Sequence, residues 1–246
     1  MENILTVYIG YDSSNYGQKL AYNVCERSIR KFNKNVKIVK LDKRDLIEKG
    51  IFYRDENTGS TEFTYTRFLV PYLNNYQGWA IFCDNDFLWQ CDVNEIYEKY
   101  ADINNALSCV KHDYTSCKSN LKMDGKLQEF YPRKNWSSLM LFNCSHDSTK
   151  NLNPESVSNE SPQWLHRMNW CNDNEIGEID KSYNYLVGYY NDRDKVNSYH
   201  FTDGGPWYPG YENVENGDKW LDYLTEEELL ILNSEKIKLI APTQSL

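Results

Sequence analysis

Positive charge is scarce in this chain. Its 27 Lys and Arg face 36 Asp and Glu, a net charge of −9 over 246 residues. Gripping a nucleic-acid backbone by counterion release needs clustered cations, so nucleic acid is not an expected partner. No run reaches 18 apolar residues, so no membrane span is expected. No C-x-x-C pair occurs among the seven cysteines (Cys25, Cys83, Cys91, Cys109, Cys117, Cys144 and Cys171), which disfavours a zinc ribbon or a thioredoxin-like motif. Their odd number and scattered positions fit a reducing compartment, with thiols serving as small core residues. The opening "MENILTVYIGYD" has no basic segment ahead of a long apolar stretch. A cytoplasmic location is the expectation, and the N-x-S triplets at Asn135, Asn143 and Asn159 read as chance. No repeat and no linker divides the chain, so one domain over 1–246 is expected.

Aromatic side chains, by contrast, are plentiful: 20 Tyr, 9 Phe and 7 Trp. They line sugar sites well, through stacking faces and polar tips, and they build ordinary cores equally well. A hydrophobic content of 40% supports a sizeable core.

Along the chain, "ILTVYIGYD" (4–12) reads as a buried strand. In "GQKLAYNVCERSIRKF" (17–32), Leu20, Ala21, Val24, Cys25, Ser28, Ile29 and Phe32 fall on one helical face. "VKIVKLD" (36–42) alternates like a half-exposed strand. Strand, helix, strand predicts a βαβ unit and a parallel sheet. Residues 50–62 read as a loop, and 63–76 as a helix that Pro71 starts anew or bends. Further strands are expected at 79–83, 106–113 and 137–144, a polar loop at 145–162, and a strand edge entering a Gly-Pro turn at 197–211. Capping-box spacing at Asp92/Glu95 and at Thr225/Glu228 predicts two helix starts.

The sharpest signal is "GWAIFCDNDFLWQCD" (78–92), where Asp84 and Asp86 interrupt the most hydrophobic strand. In open α/β sheets, ligands bind at the carboxyl ends of strands. Two carboxylates one residue apart there can converge on one cation, which removes their mutual repulsion. Oxygen ligands favour Mg²⁺ or Mn²⁺, ions that keep positions for phosphates. D-x-D is also common in plain acidic loops. In "HFTDGGPW" (200–207), an imidazole at His200 would complete a mixed oxygen and nitrogen shell and favour Mn²⁺. Gly204 and Gly205 let backbone N–H groups approach phosphate oxygens. The alternative is a surface turn with an incidental histidine.

The order "YIGYD", "TYTRFLVPYL", "FCDND", "SSLMLFN", "DNEIGEIDKSYNYL", "HFTDGGPW" resembles the metal-dependent GT-A glycosyltransferases. The resemblance is closest to the family 8 type (glycogenin and the bacterial galactosyl- and glucosyltransferases) and to short bacterial and viral relatives ending in H-F-T-D-G-G-P-W. It touches most of residues 4–210. It implies an α/β fold, a single GT-A domain whose Rossmann-like, mostly parallel sheet carries flanking helices. It also implies a metal site at Asp84, Asp86 and His200. Tyr11 and Asp12 would hold the base of a UDP-sugar, with Asn85, Gly204 and Gly205 on the nucleotide side. Arg67 would place the nucleotide and the aspartates. Asn143 would line the sugar and acceptor side. One of Asp173, Asn174 and Glu175 would face the donor sugar.

The implied reaction moves a hexose from a nucleotide-sugar donor to a carbohydrate, glycoconjugate or other hydroxyl acceptor, with retention. Ser137 and Ser138 depart from the family's pattern. So does the run before Pro206, which lacks the lysine family 8 proteins place there. Loops 50–62 and 145–162 are expected to shape the acceptor site. A sugar nucleotidyltransferase and a non-catalytic carbohydrate-binding module are the rival readings. The first lacks a Gly-rich basic N-terminal loop, and the second leaves both motifs unused.

Overall fold

The computed structural model of the chain describes residues 5–54, 59–113, 132–190 and 195–240. Ile4, Cys117 and residues 55–58 of the expected acceptor loop lie outside them. Strand β1 (Thr6–Tyr11) leads into helix α1 (Tyr16–Phe32), which starts where the Asn15 side chain accepts the Gln18 N–H. The predicted face of α1 is buried from Leu20 to Ile29. Strand β2 (Lys37–Asp42) returns parallel to β1, completing the expected βαβ unit. Helix α2 (Lys43–Glu48) follows. The 63–76 segment holds a 3₁₀ turn (Thr66–Leu69) that passes into α3 (Val70–Leu73). Pro71 sits in the first turn of α3, where its missing N–H costs nothing.

Strand β3 (Trp79–Cys83) and the short β4 (Phe87–Trp89) flank the D-N-D turn. Ala80 and Phe82 pack with Phe63 and Phe68 on one face of the sheet, and Ile81 and Cys83 with Val7 and Ile9 on the other. Burial on both faces explains the unbroken apolar run. Helix α4 (Asn94–Tyr100) begins differently from expectation. Asp92 accepts from Asn94 N–H at 2.9 Å and from the Asn33 amide at 3.1 Å. Glu95 turns instead to Lys99 at 2.7 Å and the Tyr183 hydroxyl at 3.0 Å, so no reciprocal box forms.

Strands β5 (Leu107–Cys109) and β6 (Leu139–Asn143) are shorter than predicted. The expected loop at 145–162 is largely structured. It contains a 3₁₀ turn (Asp147–Asn151) and α5 (Pro154–Asn159), and it ends at the start of α6 (Pro162–His166). Asn153 and Ser161 cap these helices, each followed by Pro in the first turn. Such polar and proline residues mark helix starts as well as loops. Strands β7 (Ile176–Glu178), β8 (Tyr185–Leu186) and β9 (Ser198–His200) precede α7 (Gly217–Leu221) and α8 (Glu226–Ile240). The Thr225/Glu228 capping box forms in both directions, at 3.2 and 2.9 Å.

Among the described residues the main sheet runs β2-β1-β3-β6-β5-β7, parallel except for β6, which is antiparallel to both neighbours. A second sheet runs β4-β9-β8. No helix among the described residues is long and apolar enough to cross a membrane.

Candidate metal and nucleotide site

β1 connects outward to β2 on one side and pairs with β3 on the other. The carboxyl edge between β1 and β3 is therefore a topological switch point, where open α/β sheets bind ligands. Asp84, Asn85 and Asp86 emerge there. Because β6 runs antiparallel, it starts at this same edge, and Asp84 N–H donates to Ser138 O at 3.0 Å.

β4 then carries the chain into the second sheet, where Phe87 pairs with His200 across the antiparallel ladder. The register is fixed by Phe201 N–H donating to Asp86 O at 3.1 Å, and the His200 ring stacks on Phe87 with centroids 4.5 Å apart. One ligand atom each from Asp84, Asp86 and His200 therefore lie within 4.8 Å of one another.

The orientation of the imidazole in this cluster follows from its partners. Asn184, fully buried, donates its amide N–H to Ser138 Oγ at 2.9 Å. That orients its Oδ1 toward His200 Nδ1, 2.7 Å away. The network thus turns Nδ1 to donate to Asn184 and directs Nε2 toward Asp86. Nε2 lies 3.3 Å from Asp86 Oδ1, a buried oxygen with no hydrogen-bond partner among the described residues. An orphaned buried carboxylate oxygen facing an imidazole nitrogen and a second carboxylate marks a place that a cation can occupy. A set of two carboxylates and one imidazole suits Mn²⁺, and also Mg²⁺. The residues present fit a divalent ion.

Arg67 is 6% exposed. Its Nη1 lies 2.8 Å from Asp84 Oδ1 and donates to Ser137 O at 2.9 Å. The guanidinium lies against Phe63 and Phe82, 5.3 and 5.0 Å from their centroids. Asn85 is buried and donates to Gln18 Oε1 at 2.8 Å, and Gln18 in turn donates to the Tyr208 hydroxyl at 2.7 Å. These groups line one cleft with Thr64, Asn135, Ser137, His166 and Thr202.

Other expected site residues lie apart from that lining. Asp12 accepts the N–H of Ser14 at 2.8 Å and of Glu62 at 3.2 Å, so its carboxylate shapes the turn after β1. Tyr11 packs edge-on against Tyr22 beneath Lys40 Nζ. Gly204 N–H donates to Phe201 O at 2.9 Å, and its φ of 143° is one that glycine alone adopts readily. A Cβ on Gly205 would lie 1.9 Å from the Trp207 ring. Both glycines therefore serve the turn and the seat of Trp207.

Asp173, Asn174 and Glu175 form a 3₁₀ turn outside the cleft. Asp173 pairs with Arg133 at 2.5 Å. Glu175 accepts Asn172 N–H at 2.9 Å and the Ser148 hydroxyl at 2.8 Å, contacts that hold its carboxyl below the usual range. Asn143 is buried and donates to Ile103 O at 3.2 Å.

The sequence reading missed Asn184, His166, Gln18 and Tyr208. Only Asn184 left a trace, a lone amide between the aromatics Tyr183 and Tyr185.

No family model matches the chain. Solved glycosyltransferases share its fold. The bifunctional glycosyltransferase WbbM matches with a TM-score of 0.63 at 17% identity over 96% of this chain and 52% of its own length. The glycosyltransferase GlyE of Streptococcus pneumoniae matches at 0.61 and 13%, over 99% and 66%. The galactosyltransferase LgtC, solved with donor and acceptor sugar analogues, matches at 0.55 and 14%, over 91% and 98%. The chain thus spans about half of WbbM and two thirds of GlyE. Its fold is the GT-A glycosyltransferase fold, with a potential metal triad at the carboxyl edge. The chain belongs to the family of Protein CDI of Arabidopsis thaliana, with which it shares 41% identity over 227 residues, 89% of this chain and 86% of that protein.

Proposed function

We propose that this protein is a metal-dependent glycosyltransferase that moves a hexosyl group from a nucleoside diphosphate sugar, a UDP-sugar, to a hydroxyl acceptor. The observation that carries the reading is the Asp84–Asp86–His200 cluster, whose three ligand atoms converge at the switch point. When bound there, Mn²⁺ or Mg²⁺ would act as a Lewis acid on the departing diphosphate.

The chain's own residues do the rest. Arg67 neutralises Asp84 and fixes the start of β6 through Ser137. Asn184 orients the His200 ring so that Nε2 points at Asp86. Asn85 and Gln18 tie the D-N-D turn to Tyr208 on the far side of the cleft. The nucleoside is assigned to the neighbouring end of β1, at Tyr11 and Asp12. For Gly204 N–H to reach a phosphate it must give up Phe201 O. Retention at the anomeric carbon follows from the family 8 resemblance.

The test is release of UDP from a panel of UDP-hexoses with Mn²⁺, with and without chelator. Metal-dependent turnover that Asp86→Ala abolishes supports the reading. Full activity in chelator overturns it, and release of pyrophosphate from UTP and a sugar phosphate replaces it with nucleotidyl transfer.

A further inference from the structure

Among the cleft residues without a role in this scheme, His166 carries an imidazole. His166, the last residue of α6, lines the same cleft as His200. Its ring is clamped: Nδ1 is 3.0 Å from Ser137 Oγ, and the edges of Phe68 and Tyr65 close on it with centroids 5.1 and 6.1 Å away. It is not sealed in the core but half-buried, on the cleft wall. A chain of contacts ties it to the metal cluster, from His166 to Ser137, from the Ser137 carbonyl to Arg67, and from Arg67 to Asp84.

The imidazole thus sits two side chains, Ser137 and Arg67, away from a proposed metal ligand and lines the same cleft. In a nucleotide sugar gripped by its diphosphate, the glycosyl group is the neighbouring unit, neutral and rich in hydroxyls.

We propose that His166 contacts the transferred glycosyl group and that Ser137 is its positioning residue. The proposal rests on the glycosyltransferase reading and assigns the sugar subsite to His166 rather than to Asp173, Asn174 or Glu175. A clamped ring gives a hydrogen bond whose orientation is set before substrate arrives.

The test is imidazole NMR on the ¹⁵N-histidine-labelled full chain with diamagnetic Mg²⁺. The chain has four histidines, and His166→Gln assigns the signal. UDP with Mg²⁺ is expected to shift His200 and leave His166 in place. UDP-glucose or UDP-galactose is expected to shift His166 as well. Loss of the contact in His166→Gln should weaken UDP-hexose binding about ten-fold and leave UDP binding unchanged. If UDP-hexoses shift His200 and never His166, the subsite assignment is wrong while the enzyme reading stands. If no nucleotide shifts His200, the glycosyltransferase reading fails and the assignment fails with it.

Discussion

Asn184 accepts the Nδ1–H of His200 at 2.7 Å, and this one contact decides which imidazole nitrogen faces Asp86. Partners behind a metal-binding histidine set its tautomer and basicity. Asn184→Leu keeps the approximate volume and removes the acceptor. It is expected to weaken Mn²⁺-supported UDP binding about 10–100-fold, measured by titration calorimetry. Unchanged affinity would show that His200 needs no such orientation.

Arg67 lies in a buried aromatic slot beside Asp84. Removing one partner of a buried ion pair leaves an uncompensated charge, at a cost of about 3 kcal/mol. Arg67→Met should lose about that much stability in chelator, read from urea unfolding. A loss well under about 1 kcal/mol would place the pair among exposed ones.

Much of this arrangement was legible in the sequence. The βαβ unit followed from the spacing of Leu20, Val24, Ile29 and their neighbours, because both elements are amphipathic or apolar throughout. Asp84, Asp86 and His200 stood out as charged or polar groups at the ends of apolar runs. The antiparallel direction of β6 did not show, since periodicity carries no polarity. Its consequence, Ser137 and Ser138 arriving at the carboxyl edge, was therefore invisible. In the 173–175 segment, a carboxylate looks the same in the sequence whether it meets substrate or, as Glu175 does, caps a 3₁₀ turn. His166 sits in a short helix just past the expected 145–162 loop, too short for its periodicity to stand out.

Gly205 is held glycine by the Trp207 ring, 1.9 Å from where a Cβ would be. Gly205→Ala should cost about 1–3 kcal/mol through overpacking, visible as a lower Tm. UDP affinity should fall with it, because Trp207 and Tyr208 both border the cleft. A neutral effect on both would mean the turn yields freely.

Arg27 on α1 grips Glu228 on α8 through two N–H donors, at 2.6 and 2.7 Å. This hydrogen bonding is the largest cause that lowers the Glu228 carboxyl from 4.5 to about 2. A depressed carboxyl stabilises the fold fully above its unfolded value, and the benefit disappears as pH falls through the folded one. Glu228→Gln should therefore be less stable than the parent at pH 7, and the gap should close between about pH 4.5 and 2. Urea unfolding across that range checks it, and a gap that widens toward acid would contradict the pairing.

The metal site is tested most directly by calorimetric titration of UDP into the protein with Mn²⁺ and again with excess chelator, for the parent and Asp86→Asn. The account predicts that the parent binds UDP only with the metal and that Asp86→Asn loses that dependence along with most of the affinity. Equal UDP binding in chelator, or an Asp86→Asn protein as tight as the parent, would contradict it.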